Sequence, residues 1–235
     1  MLLLTNDDGI DAPGLQALIA AVERLGRRYV VVAPEVGWSG CGHRVTTDAG
    51  LRIDAHAPQR FAVSGTPADC VRLGLHHLAP ETRWVLAGVN AGGNLGADVY
   101  HSGTVAAARE AALHGRQGIA LSHYRRRGQD FDWPRAVQWI VPLLADLLDQ
   151  PNDPHSFWNV NLPHLENGAP SPAVVFCPLD ASPLPLNFQE IDGHWHYNGN
   201  YHDRGRQPGS DVDVCFRGHI AATLLRLRGK DEKNG

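Results

Sequence analysis

Two adjacent carboxylates, Asp7 and Asp8, follow a short apolar run and are succeeded at once by Gly9. Carboxylates side by side at the end of a buried strand repel each other unless protons or a cation intervene. Farther along stand a loop hydroxyl, Ser39, and two amides, Asn90 and Asn94, within Gly88-Val89-Asn90-Ala91-Gly92-Gly93-Asn94-Leu95-Gly96. The three polar clusters, Asn6-Asp7-Asp8, Ser39 and Asn90 to Gly96, offer carboxylate, hydroxyl and amide oxygens and include no His or Cys. That set suits a hard cation such as Mg²⁺ or Mn²⁺ rather than structural zinc. Ser102-Gly103-Thr104 then precedes an Ala-rich run. Hydroxyls and backbone N–H groups at a helix start form an anion site, and the glycines before it let the backbone approach a ligand. A cation beside an anion site points to phosphate chemistry. The pattern is neither a Walker A loop nor a GxGxxG dinucleotide loop. Each cluster alone also reads as an ordinary polar turn, solvated serine or helix cap. Their places at the ends of strands are what join them.

Those strands follow from the hydrophobic pattern. Leu2-Leu3-Leu4 is a buried strand, and Leu15, Leu18, Ile19, Val22 and Leu25 recur at helical spacing between Pro13 and Gly26. Tyr29-Val30-Val31-Val32-Ala33 is a second strand, stopped by Pro34, so the chain opens as a βαβ unit with a parallel sheet. Short strands are expected over 51–53 and 61–63, and a helix capped by Thr66-Pro67 over 67–78. A strand over 84–87, a helix over 105–114 and a strand over 119–121 follow. The next helix spans 134–148 and is kinked by Pro142. The carboxyl ends of parallel strands are where such sheets bind ligands, and adjacent strands bring the three polar clusters to one rim. Past Gln150 the texture becomes rich in Pro and Asn; the run 188–197 holds an Asp192-Gly193 hairpin signal, and 224–227 reads as a last strand. The expectation is one α/β domain over 1–235. It has a Rossmann-like, mainly parallel core over about 1–150, flanked by helices, and an irregular C-terminal part with a β-hairpin extension.

Composition limits the partners. The 235 residues are 43% hydrophobic and 20% charged, a globular balance, and carry a net charge of -4. No bulk positive field exists for long nucleic acid or an anionic membrane. The four cysteines form no CxxC pair, so reduced, mostly buried thiols are expected. The N-terminal apolar run has neither the length nor the basic flank of a signal peptide, which places the expected setting in the cytoplasm.

Several runs carry a family resemblance. Leu4-Thr5-Asn6-Asp7-Asp8-Gly9-Ile10-Asp11-Ala12-Pro13-Gly14 resembles the start of the SurE (survival protein E) nucleotidases. Val32-Ala33-Pro34 with Ser39-Gly40, Gly65-Thr66-Pro67-Ala68-Asp69-Cys70-Val71, the Gly-rich run 88–96 and Ser102-Gly103-Thr104-Val105-Ala106-Ala107-Ala108 complete five ordered motifs. The resemblance implies a divalent-metal-dependent phosphomonoesterase acting on nucleoside 5′- or 3′-monophosphates, assembled as a homodimer or homotetramer. It implies one metal ion held by Asp7, Asp8, Ser39 and Asn90, with Asn94, Ser102, Gly103 and Thr104 at the phosphate. Catalytic roles then fall to Asp7, Asp8, Asn94 and Ser102. The chain departs from the family pattern at Gly93, where proline is usual, and at Gly37-Trp38, where Arg and Asn are usual. It departs again in Thr223-Leu224-Leu225-Arg226-Leu227-Arg228, where a histidine often stands near Arg226.

Other readings stay open at the level of sequence. A non-catalytic nucleotide sensor would use the anion loop without metal. An oxidoreductase lacks its GxGxxG. A zinc site on His194 and His196, and a phosphate contact from Arg125-Arg126-Arg127, compete with plain surface roles.

Overall fold

The computed structural model describes residues 1–126, 128–150, 153, 155–166 and 168–227. Arg127 of the expected Arg125-Arg126-Arg127 run, Arg228 of the run from Thr223, and the tail from Gly229 lie outside the described residues.

The first strand, β1 (Leu2–Thr5), is buried along its whole length. Leu2 and Leu4 face one layer of the core and Leu3 the other. Continuous apolar runs are what a parallel sheet covered on both faces requires. Helix α1 (Pro13–Arg24) leads to β2 (Tyr29–Pro34), which pairs parallel with β1. The hairpin of β3 (Ile53–Ala57) and β4 (Arg60–Val63) extends this side, β4 pairing parallel with β2. Residues 51 and 52, expected in that strand, lie before it. Helix α2 (Pro67–Leu73) starts on a capping box between Thr66 and Asp69 and passes into a π-helical turn, Gly74–Leu78.

On the other side of β1 lies β5 (Trp84–Asn90), followed outward by β6 (Gln117–His123) and β7 (Ser156–Leu162), all parallel. Helix α3 (Gly103–Leu113) connects β5 to β6. Helix α4 (Trp133–Asp149) follows β6 and continues through Pro142 to Asp149. The apolar faces of α1 and α4 pack on one side of the sheet through Leu15, Leu18, Ile140 and Leu144. On the other side α2 and α3 bury Val71, Ala107 and Ala111 against Leu3, Val32 and Val85. The alanines keep α3 close to the strands.

The C-terminal third is more ordered than its composition suggests. The short β8 (Val174–Phe176) closes the edge. Strands β9 (Phe188–Ile191) and β10 (His194–Tyr197) form the expected hairpin, apart from the main sheet. Its turn places Asp192 at φ 50° and Gly193 at φ 75°, the primed geometry an Asp-Gly pair favours. Helix α5 (Asp211–Phe216) leads into β11 (Ile220–Arg226), which inserts between β7 and β8 and runs antiparallel to β7. The sheet order is β3-β4-β2-β1-β5-β6-β7-β11-β8. Sequence reading found neither β7, β8 nor α5, and it placed β11 four residues late. The mainly parallel sheet between helix layers is as expected.

The chain departs from β1 to one side and returns through β5 on the other, which opens a crevice between their carboxyl ends. No helix among the described residues is long and apolar enough to cross a membrane. Cys70 and Cys215 are buried, Cys41 and Cys177 half-buried, and all four are free.

At the end of β6, His123 is 4% exposed, donates Nδ1–H to the Tyr124 carbonyl, and meets Phe131 and Trp133 edge-on. Burial lowers its pKa from 6.5 to about 4, with His164 and Arg135 adding to the depression and Asp132 opposing it. The native imidazole therefore stays neutral where the unfolded one takes up a proton. Its contribution to stability is present above pH 6.5 and is lost as pH falls toward 4. Between pH 7.5 and 5 this amounts to about 2 kcal/mol. Urea unfolding of His123→Asn is expected to show a pH dependence weaker by about that amount. An unchanged dependence would contradict the assignment.

Candidate active site

Asp7 and Asp8 occupy the first turn after β1, on the rim of the crevice. Asp7 is 5% exposed. It accepts a hydrogen bond from the Thr104 hydroxyl on the first turn of α3. Burial pushes the Asp7 carboxyl up to about 6; the Thr104 hydroxyl opposes the rise and the neighbouring Asp8 adds to it. Asp8 is half-buried and raised by burial, with the Ala91 N–H donating to its Oδ2 at 3.2 Å and opposing that rise. Thus Asp7 ties β1 to α3, while Asp8 ties β1 to the loop after β5. Among the described residues no Lys, Arg or His forms an ion pair with either carboxylate.

Gly103 explains how α3 comes so near. A Cβ there would lie 2.9 Å from the Asp7 Cβ and 2.9 Å from the Cys41 Sγ. Only a residue without a side chain admits this approach. Ser102 caps the helix, its Oγ accepting from the Val105 N–H at 3.0 Å. Asn90 donates Nδ2–H to the Gly92 carbonyl at 3.0 Å, folding the Gly-rich loop over the end of β5.

The loop over 35–50 is held at several points. The Trp38 N–H donates to the Asp7 carbonyl at 2.7 Å, and the Gly42 N–H to the His101 carbonyl at 3.0 Å. His43 Nε2 bonds Glu110 on α3 at 2.7 Å, and Asp69 on α2 accepts from both the Thr46 N–H and hydroxyl. Ser39, next to Trp38, is exposed, and no hydrogen bond joins its hydroxyl to Asp7, Asp8 or Asn90. The Trp38 backbone contact brings this stretch of loop to the rim.

Asn94 is buried at 6% exposure and knitted into the sheet. Its N–H donates to Asn161 Oδ1 at 2.7 Å, and its Nδ2 donates to Ser122 at 2.8 Å. Its carbonyl accepts from Asn159 and Asn161. Ser122, Asn159 and Asn161 are the supporting residues that sequence reading missed; the alternation Asn159-Val160-Asn161 in β7 was their only signal. On the far side of the loop, Asp98 accepts from the Leu95 N–H, from Tyr201 at 2.6 Å and from Arg204 at 2.8 Å. Asp211 accepts from the Gly96 N–H at 2.8 Å. The C-terminal third therefore braces the loop.

The donors match a hard divalent cation in kind. Two carboxylates share a crevice without a protein counter-charge, and buried Asn6 leaves its Oδ1 without a hydrogen-bond partner beside them. Among the described residues no group of three or more His, Cys, Asp or Glu is arranged for a metal, so His194 and His196 form no such cluster.

The sequence model of the family described as "Survival protein SurE" matches residues 2–179. The chain belongs to the SurE family. A relative from Nostoc sp. (strain PCC 7120), named "Putative 5'-nucleotidase alr3139", is 52% identical over 227 residues, covering 96% of this chain and 99% of its own. The "5'-nucleotidase SurE" of Geotalea daltonii is 37% identical over 96% of this chain and 92% of its own. The solved SurE protein of Aquifex aeolicus superposes with a TM-score of 0.85 at 29% identity, covering 98% of this chain and 94% of that one. The likeness extends through the C-terminal third, beyond the five SurE motifs.

The close approach at Gly103 is testable. Gly103→Ala is expected to destabilise the fold by about 1–3 kcal/mol through overpacking. Cys41→Gly in the same chain should recover part of the loss, because the thiol is one of the atoms the new methyl meets. Unchanged urea midpoints for Gly103→Ala would contradict the geometry.

Proposed function

We propose that this chain is a divalent-metal-dependent phosphomonoesterase that hydrolyses nucleoside 5′-monophosphates, and 3′-monophosphates as well, to nucleoside and phosphate. One observation carries the reading: two carboxylates without a protein counter-charge meet a helix N-terminus in the crevice between β1 and β5. The names of the relatives supply the substrate class.

Asp7, Asp8, Ser39 and Asn90 are the proposed holders of one Mg²⁺ or Mn²⁺ per subunit. When bound, such a cation supplies Lewis-acid polarisation of a phosphoryl oxygen and an acidified water. Asn94 is the proposed contact to the remaining phosphoryl oxygens, together with the Ser102 hydroxyl and the Gly103 N–H. Preorganised donors there stabilise charge as the ester bond breaks. The Thr104 N–H joins these contacts in the proposal, while its hydroxyl orients Asp7. Hydrolysis adds the water oxygen to phosphorus, breaks the phosphorus–ester oxygen bond and delivers a proton to the departing nucleoside oxygen. Asp7 or Asp8 steers the water or accepts its proton; in the other route one carboxylate would attack phosphorus and expel the nucleoside oxygen, and water would then hydrolyse the aspartyl-phosphate to release phosphate and restore the carboxylate.

The reading includes a cytoplasmic protein working as a homodimer or homotetramer on small substrates, with neither long nucleic acid nor membrane as partner. Support for self-association comes from the β9–β10 hairpin, where Phe188, Ile191, Trp195 and Tyr197 are all exposed.

Phosphate release from AMP and GMP with Mn²⁺ or Mg²⁺ tests the proposal. Excess EDTA is expected to abolish turnover. Asp7→Asn should lower kcat/KM by more than about a hundredfold, since changes one shell farther from a metal already cost 10–100-fold. Full activity in chelator, or in Asp7→Asn, would contradict it.

A further inference from the structure

Beside the Gly-rich loop lies a groove of about 500 Å³, lined by Gly92 and Gly93 on one wall, Tyr124 and Arg125 on another, and residues 198–202 on the third. Tyr124 and Arg125 follow directly after β6, the strand next to β5, so the groove opens on the same rim as Asp7, Asp8 and Asn94. Its aromatic wall is rigid. Tyr124 stacks on Tyr201 with centroids 6.2 Å apart, and Phe216 packs against both rings. Tyr201 is held in turn by its hydrogen bond to Asp98 and by the Arg204 guanidinium over its ring. His202 extends this cluster into solvent. The Tyr124 hydroxyl bonds its Nε2 at 2.6 Å, and the two rings meet edge-on at 79°. Restrained in this way, the exposed imidazole offers a flat π-face at low entropic cost.

Amides border the same space. Asn200 Oδ1 accepts from the His202 N–H at 3.2 Å, while the exposed Asn198 carboxamide makes no hydrogen bond among the described residues. The Arg125 guanidinium lies over the Phe131 ring and donates to the Gln129 carbonyl. A flat ring to stack on, with amide donors and acceptors at its edge, is the chemistry that receives a nucleobase. Gly93, in the Gly-rich loop itself, lies close against this wall: a Cβ there would lie 3.3 Å from the Tyr201 hydroxyl.

We propose that this groove is the nucleoside subsite, in which the base stacks on His202 and is read at its edge by Asn198. The proposal deepens the nucleotidase reading and rests on it for the substrate class. It predicts preference for nucleoside monophosphates over simple alkyl phosphates, with the preference residing in these side chains. Both are exposed; Asn198→Ala removes no side-chain hydrogen bond among the described residues, whereas His202→Ala also gives up the Tyr124 hydrogen bond and the Phe216 ring contact.

Two measurements test it with separate readouts. The first is binding of phosphate-free adenosine and guanosine, followed by ligand-observed NMR, to the native protein, His202→Ala and Asn198→Ala. Nucleoside binding is expected in the native protein, weakened about tenfold by His202→Ala, the worth of one base–aromatic stack. The second is the ratio of kcat/KM for AMP to that for glycerol phosphate with Mn²⁺ present, expected to fall about tenfold in His202→Ala, chiefly through KM. Absent nucleoside binding, or binding and ratio both within twofold of native in the two variants, overturns the subsite. A native protein that binds nucleosides through His202 yet hydrolyses neither ester keeps the subsite and loses the phosphatase reading.

Discussion

A carboxylate with a twentieth of its surface exposed, placed against a second carboxylate and without a counter-ion from any described side chain, is the constraint around which this molecule is organised. Asp7 is kept there by what surrounds it. The Thr104 hydroxyl donates to its side chain, the Trp38 N–H donates to its carbonyl, and the missing side chain of Gly103 lets α3 close over it. Each contact joins a different part of the chain to the end of β1. Such an arrangement costs solvation free energy that these hydrogen bonds only partly offset, as the raised pKa records. A divalent cation removes the repulsion between Asp7 and Asp8 and restores favourable solvation to both.

The C-terminal third serves the same crevice from a distance. Arg204, with 1% of its side chain exposed, pairs with Asp98, and Asp211 takes the Gly96 N–H. Asp180 gathers the Ser182 and Gln207 N–H groups and the Ser210 hydroxyl, fastening the segment that carries Arg204 and α5. From the β7 side, Asn159 and Asn161 clamp Asn94. Ligand-facing loops on many parallel sheets are mobile; here buried polar networks hold the Gly-rich loop from both ends, and satisfied networks of this kind rigidify what they join. The price of that rigidity is a set of charges that tolerate no partner's removal.

Much of this was legible in the sequence because the first 150 residues obey local rules. Buried strands read as apolar runs, α1 and α4 as helical stripes, and Thr66 and Ser102 as caps. The carboxyl-end rule then collected Asp7, Asp8 and Asn90 at one rim. What stayed hidden depends on contacts between residues far apart in the chain. Strand β7 was missed because Asn159 and Asn161 are polar yet fully buried, and their partner at Asn94 lies more than 60 positions away. Helix α5 is six residues long and opens with buried Asp211 and Asp213, so neither periodicity nor polarity marks it. The hydrogen bond from the Thr104 hydroxyl to Asp7, 97 positions away, was likewise invisible in the sequence.

The central claim is that the Asp7–Asp8 crevice is a divalent cation site before any substrate arrives. Mn²⁺ titration of the substrate-free protein, read by electron paramagnetic resonance of the free ion, addresses it without reference to turnover. The account predicts one bound Mn²⁺ per chain, displaced by Mg²⁺, and its loss in the folded Asp7→Asn/Asp8→Asn double variant. Failure of the native protein to bind Mn²⁺, or equal binding by the double variant, would contradict it.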